Sequence, residues 1–354
     1  MSSLPEHDPG YVPLNPEDSL TSAETDSHNA HPMQTWPPET RESYPWPSQP
    51  LPADSAPALP ALAQNDQPAA EPPLFQSWYP PEIHPPTRIP HLGHLSILTL
   101  LILFGTAGST LLTWSAIHFH LFAVSTIKQA ETDIHYTLGS MATLYLITFG
   151  ASLLIFPLFW HKGFFAGLQW NGAIALRQRW LLMSAAGMCF VLAIVDEALL
   201  PGPSDTPIDK LFRTPLSAWL LFAFGITLAP FFEEIVFRGF LLPALCTAWD
   251  WLTEQAAGES VRPLDANGHP QWSVPAMVVA SILTSIPFAL MHAEQTAHAL
   301  GPFLLLVCVS LVLCWERLST RSLAASVLVH ASYNFLIFSL MLLGTGGFRH
   351  LDKM

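Results

Sequence analysis

The sequence predicts an all-α fold: a polytopic membrane helical bundle of about seven transmembrane helices behind a disordered, Pro-rich N-terminal tail. Three observations carry this reading. Half of the 354 residues are apolar and only 12 % are charged, against about a quarter in soluble domains. Several apolar runs reach roughly 20 residues, the length that crosses a hydrocarbon core. The prolines and acidic residues are concentrated at one end of the chain: residues 1–90 hold 21 of 33 prolines and 12 of 27 acidic residues, with only Arg41 and Arg88 as basic ones.

Residues 1–90 cannot bury enough apolar surface to offset chain entropy, and proline pairs such as "WPPE" and "WYPPEIHPP" favour extended polyproline II. A spacer, or a segment that docks a protein partner, fits this composition. The net charge of -13 is largely a property of this tail. With no Lys/Arg-rich cluster, nothing points to nucleic acid. The first 30 residues are polar and acidic, unlike the apolar core of a cleavable signal peptide.

After Pro90, spans are expected at about 95–125, 134–160, 180–200, 215–247, 274–293, 299–316 and 320–345. These divide into N-terminal transmembrane helices at 91–213 and a second membrane domain at 214–345. The stretch 161–179 mixes Trp and Phe with Lys and Arg and suits a short interfacial helix. Residues 248–273 form the longest polar connection. Seven alternating spans put Arg88, Lys162, Arg177, Arg179, Arg262, Arg317 and Arg321 on one side, and Lys128, Lys210, Arg213, Arg349 and Lys353 on the other. The positive-inside rule then favours a cytoplasmic N-terminus, in an integral multi-pass protein of the plasma membrane. Cys189, Cys246, Cys308 and Cys314 all lie in apolar segments without a C-x-x-C pair, which reads as small buried residues.

Three constellations break the apolar pattern. The first is "FFEEIVFRGF" at 231–240. Glu234 and Arg238 are four apart and can pair on one helical face. Glu233 is rotated by about 100° from Glu234 and stays free of that pair. The second is "PFALMH", ending at His292 near the end of a span. The third is "VLVHASYNF", in which His330 and Asn334 share a helical face. Each has a bland account, an interhelical ion pair or hydrogen bond. Ionisable groups on three apolar helices instead mark a site facing the protein interior or a wet cavity. A glutamate and a histidine can activate water, and a second histidine and an asparagine can stabilise an oxyanion. The same carboxylate and imidazoles, Glu233, His292 and His330, could hold a divalent metal such as Zn2+. H-E-x-x-H, G-x-S-x-G and P-loop signatures are absent, as are the repeated halves of many transporters.

Taken in order, "EEIVFR" at 233–238, "FALMH" at 288–292 and "HASYN" at 330–334 resemble the motifs of the CAAX prenyl protease and bacteriocin-processing (CPBP) intramembrane proteases, which include lysostaphin-resistance-like members. The resemblance covers roughly 215–340. It implies an intramembrane endopeptidase acting on a peptide or protein substrate without a covalent acyl-enzyme. It implies that Glu233 and His292 activate the water, that His330 and Asn334 hold the oxyanion, and that Glu234 and Arg238 support the site. Zinc stays open as a cofactor. Family members that act as non-proteolytic scaffolds supply the alternative reading.

Overall fold

A computed structural model describes residues 88–351 apart from 122–123, 204–205, 208, 213, 259–261, 263 and 266–267. The expected tail at 1–90 therefore lies outside the described residues except for its last three.

The chain is helical, with a lone β-bridge between Leu264 and Pro270 among the described residues. The helices are α1 (Leu92–His118), α2 (Ile127–Ala130), α3 (Ile134–Trp160), α4 (Phe164–Gly167), α5 (Gly172–Arg177), α6 (Arg179–Leu199), α7 (Pro215–Ile226) and α8 (Leu228–Glu234). A π-helical turn at Ile235–Leu241 leads into α9 (Leu242–Ala257), followed by α10 (Val274–Met291), α11 (Leu300–Thr320) and α12 (Leu323–Gly344). Seven segments are long and apolar enough to cross a membrane: α1, α3, α6, the 43-residue run Pro215–Ala257, α10, α11 and α12. The chain is an integral, multi-pass membrane protein.

Helix ends follow local chemistry. The Asp133 side chain accepts from the first amides of α3, an ordinary N-cap. Thr214 caps α7 in a capping box with Ser217, and Pro215 opens the helix. Ser273 caps α10 through Ala276 N. The segment 161–179 forms two short helices, α4 and α5, rather than one interfacial helix, because Gln169 adopts a left-handed φ of 58° between them. The expected polar connection 248–273 shortens, since α9 runs on to Ala257 and stops at Gly258 with φ 67°. That extension is possible because its two acids are buried with partners. Asp250 accepts from Ser273 N and Oγ, and Glu254 pairs with Arg88 at 2.6 Å.

The fourth span is broken twice. Thr227, with φ -125° and ψ -81°, separates α7 from α8. Pro230 lacks the N–H that would have bonded the Ile226 carbonyl, so the helix cannot run straight through. The second irregularity is the π turn. Pro243 stands four residues after Gly239, where a proline ring would press on the Gly239 carbonyl of a regular α-helix. A wider turn relieves that clash, and such turns recur at functional sites.

Around this broken span the other helices pack in pairs. Gly105 lets α1 approach the backbone of α3, where a Cβ would meet Leu144 O at 3.1 Å, and Ser109 Oγ donates to Ser140 O at 2.7 Å. Small residues and interhelical hydrogen bonds of this kind hold helices together where lipid removes the hydrophobic driving force. Phe156, Trp160, Phe164, Leu168 and Leu323 pack against Ile235 and Phe240, so an apolar plate clamps the π turn from one side.

Candidate active site

The π turn and the last turn of α8 carry Glu233, Glu234 and Arg238 into the bundle. Glu234 and Arg238 are fully buried. Arg238 Nη1 donates to Glu234 Oε1 at 2.9 Å, and Arg238 Nη2 donates to Ser310 Oγ at 2.7 Å and Ser310 O at 3.0 Å. A buried pair repays its desolvation only when further hydrogen bonds complete it, and Ser310 of α11 supplies them. The same Glu234 oxygen lies 2.9 Å from His330 Nδ1. A carboxylate can only accept there, so Nδ1 carries the hydrogen and Nε2 is the atom His330 turns towards Glu233.

His292 follows the end of α10. Its Nδ1 stands 2.9 Å from Phe288 O. A carbonyl also only accepts, so Nδ1 is again the protonated nitrogen and Nε2 is left facing outward. Both Nε2 atoms converge on one oxygen: Glu233 Oε2 is 3.8 Å from His292 Nε2 and 3.8 Å from His330 Nε2. That is too long for a direct hydrogen bond and suits one mediated by a small molecule between them. The Glu233 side chain is 12 % exposed, against 0 % for Glu234. The two glutamates are thus separated in role by their surroundings as well as by helical offset.

Asn334, one turn beyond His330, donates its amide to Gly225 O at 2.8 Å. That carbonyl lies at the break between α7 and α8, so Asn334 ties α12 to the irregular segment. One amide hydrogen is used there and the second is free of it. Phe288 is the apolar hub. Its ring centroid is 5.1 Å from that of His292 and 5.8 Å from that of His330, and the Arg238 Cζ lies 4.5 Å above it.

Glu233, Glu234, Arg238, His292 and His330 are therefore brought into one constellation, and Asn334 borders it. Ser310, Phe288 in its double ring contact, and Gly225 were not assigned roles from sequence. Ser310 could have been suspected as an isolated hydroxyl in the apolar run "VCVSLVLC". Tyr145 of α3 also adjoins the site: its ring lies 4.7 Å from that of Phe232 and 6.0 Å from that of Phe224, and it is near enough to Glu233 for an electrostatic interaction.

Two imidazole nitrogens and a carboxylate oxygen are zinc-type donors. Ligands at about 2.0–2.2 Å around a tetrahedral zinc stand roughly 3.4 Å apart, closer than the 3.8 Å found here. Among the described residues, no group of three His, Cys, Asp or Glu side chains is arranged to hold a metal ion. As placed, these residues do not fit a metal.

Residues 215–336 match a family model. It is described as Rce1-like, type II CAAX prenyl endopeptidase Rce1-like. The matched segment contains all three motifs and both breaks in the fourth span, and the match is consistent with the CPBP resemblance. The matched family is described as one of endopeptidases, which are hydrolases. No significant match to a curated protein or to a solved structure was found. Tyr145 and the α1–α3 pair that packs beside the site lie outside the matched segment.

Proposed function

We propose that the chain is an intramembrane endopeptidase that cleaves a peptide bond of a peptide or protein substrate with water activated by Glu233 and His292. The convergence of two imidazole Nε2 atoms on Glu233 Oε2, each at 3.8 Å, is the observation that supports this best. A water between these atoms would donate one hydrogen to Glu233 and one to His292. As its oxygen attacks the scissile carbonyl, Glu233 takes a proton. The departing amine then receives that proton from Glu233 as the C–N bond breaks, while His292 Nε2 holds the other hydrogen of the former water. General-base and general-acid transfers of this kind contribute typically 10²–10⁴-fold each.

His330 and Asn334 serve the developing oxyanion. Glu234 holds His330 Nδ1, which fixes the ring with Nε2 towards the site, where an Nε2–H would donate to the substrate oxygen. Asn334 offers its second amide hydrogen from a side chain fixed by Gly225. Donors held in place before charge develops are the efficient kind. Glu234, Arg238 and Ser310 position this face and touch no reacting atom. In this reading 214–345 is the catalytic membrane domain, 91–213 buttresses it, and the protein resides in the plasma membrane.

The decisive experiment reconstitutes the full chain in lipid and compares wild type with Glu233→Ala and His292→Ala. Comparative mass spectrometry of membrane proteins and released peptides in the native host reads out cleavage. Loss of the same peptides in both variants, at unchanged unfolding temperature, is the expected result. Normal cleavage by both variants would sink the assignment of Glu233 and His292, and no cleavage by wild type would favour a non-proteolytic scaffold.

A further inference from the structure

Arg317 lies three residues before the end of α11 and is 2 % exposed. Among the described residues, one of its nitrogens has a partner: Nη2 donates to Leu168 O at 3.3 Å. Its Nε and Nη1 are buried without a hydrogen-bond partner among the described residues, and it forms no ion pair there. Arg238, the other fully buried arginine, has both a carboxylate and Ser310. An arginine does not shed its proton in a protein. A buried guanidinium without a counter-charge therefore costs several kcal/mol. Buried water can satisfy its N–H groups but leaves the charge uncompensated.

The surroundings are cationic too. His269 in the 258–273 connection interacts electrostatically with Arg317, Lys162 and Arg321. The nearby carboxylate of Asp265 is engaged by Arg321 at 3.0 Å. Burial is the main cause that holds His269 below the usual imidazole range, and the three cations act in the same direction against Asp265. Beside Leu168, the Gln169 side-chain oxygen is buried with no donor, while its backbone carbonyl is pinned by Leu323 N. This is the end of the bundle with the larger share of Lys and Arg, which the positive-inside rule puts at the anionic leaflet.

We propose that Arg317 is the centre of a buried anion site between the last turn of α11 and the 161–171 segment, taking the phosphate group of an anionic phospholipid or free phosphate. Phosphate oxygens are strong acceptors for the unpartnered Nε–H and Nη1–H groups. The site is separate from the Glu233 constellation and does not rest on the hydrolytic reading.

The test uses the full chain in neutral detergent and follows its unfolding temperature. Phosphatidylglycerol, phosphatidylcholine and inorganic phosphate are titrated separately. Phosphatidylglycerol should raise the midpoint by about 4 °C or more near saturation, with phosphatidylcholine without effect. Arg317→Gln should abolish that rise, while Arg321→Gln retains it. If Arg317→Gln does not fold, Arg317→Lys, which keeps the charge but not the fork, should weaken phosphatidylglycerol binding at least tenfold by native mass spectrometry. A response to inorganic phosphate alone, lost in the Arg317 variants, supports the site with free phosphate as its source. Equal responses to both lipids, an undiminished response in the Arg317 variants, or no response to any of the three overturns the proposal.

Discussion

Glu233 Oε2 and His292 Nε2 face each other across 3.8 Å, with the imidazole hydrogen committed to the other ring nitrogen by Phe288 O. This geometry predicts that the charge of Glu233 matters more than its shape. Glu233→Gln should reduce turnover of a quenched peptide reporter by roughly 10²–10⁴-fold, with the unfolding midpoint within a few degrees of wild type. A glutamine that retains turnover would favour a binding cavity over a hydrolytic one.

Glu234 and Arg238 answer to a different measurement. Both are fully buried and each holds the other at 2.9 Å. Replacing either alone by alanine leaves an uncompensated buried charge, so each single change should cost about 3–5 kcal/mol of stability. Replacing both by apolar residues of similar volume should recover much of that. Unfolding in mixed micelles separates the cases, and additive losses in the double variant would show that the two do not act as a pair.

Gly225 controls the approach of α12. A Cβ there would lie 2.6 Å from the Phe338 ring, and its carbonyl is the acceptor for Asn334. Gly225→Ala should therefore destabilise by about 1–3 kcal/mol through overpacking and lower turnover with it. Asn334→Ala should lower turnover with a smaller stability loss, near the 0.6 kcal/mol typical of an interhelical hydrogen bond in a membrane.

The connection 258–273 should be pH-sensitive. His269 has its pKa lowered in the folded chain, first by burial. The unfolded chain then binds more protons, so stability from this group is complete above the ordinary imidazole pKa of about 6.5 and falls as pH drops below it. Protection at residues 264–272, taken relative to the intrinsic exchange rate at each pH, should fall between pH 7.5 and 5.5, and His269→Gln should flatten that dependence. Protection that is unchanged over this interval would remove His269 as the cause.

Much of the fold was legible because lipid imposes one simple requirement, a long apolar helix. The third helix begins and ends as expected at 134–160, since Asp133 caps one end and the left-handed His161 closes the other. The first span stops at His118 rather than near 125, and the last two shift by a few residues around the left-handed Arg321. The fourth span was read as one helix because "PLSAWLLFAFGITLAPFFEEIVFRGFLLPAL" is apolar throughout. Its breaks depend on where single backbone donors are missing, at Pro230 and Pro243, and hydropathy does not register them. In the site, the separation of Glu233 from the Glu234–Arg238 pair followed from helical offset and recurs in the structure. That Glu234 also holds His330 did not follow, because it depends on how α12 packs against the π turn, a contact 96 residues apart in the chain.

A π turn encloses one residue more than the α turn it replaces. Segment 235–241 thus takes up one extra residue while α8 and α9 keep their phase. Deleting one residue from it, Val236 for instance, would let the helix close regularly and leave α8 nearly in phase with α9, because the wide turn had taken up the extra residue by itself. The same deletion in the regular turns of α9 would rotate everything before it by about 100° and swing Glu233 away from both imidazoles. The π turn is thus the one place in this span where the chain can lose a residue and still keep the carboxylate and the histidines in one chamber.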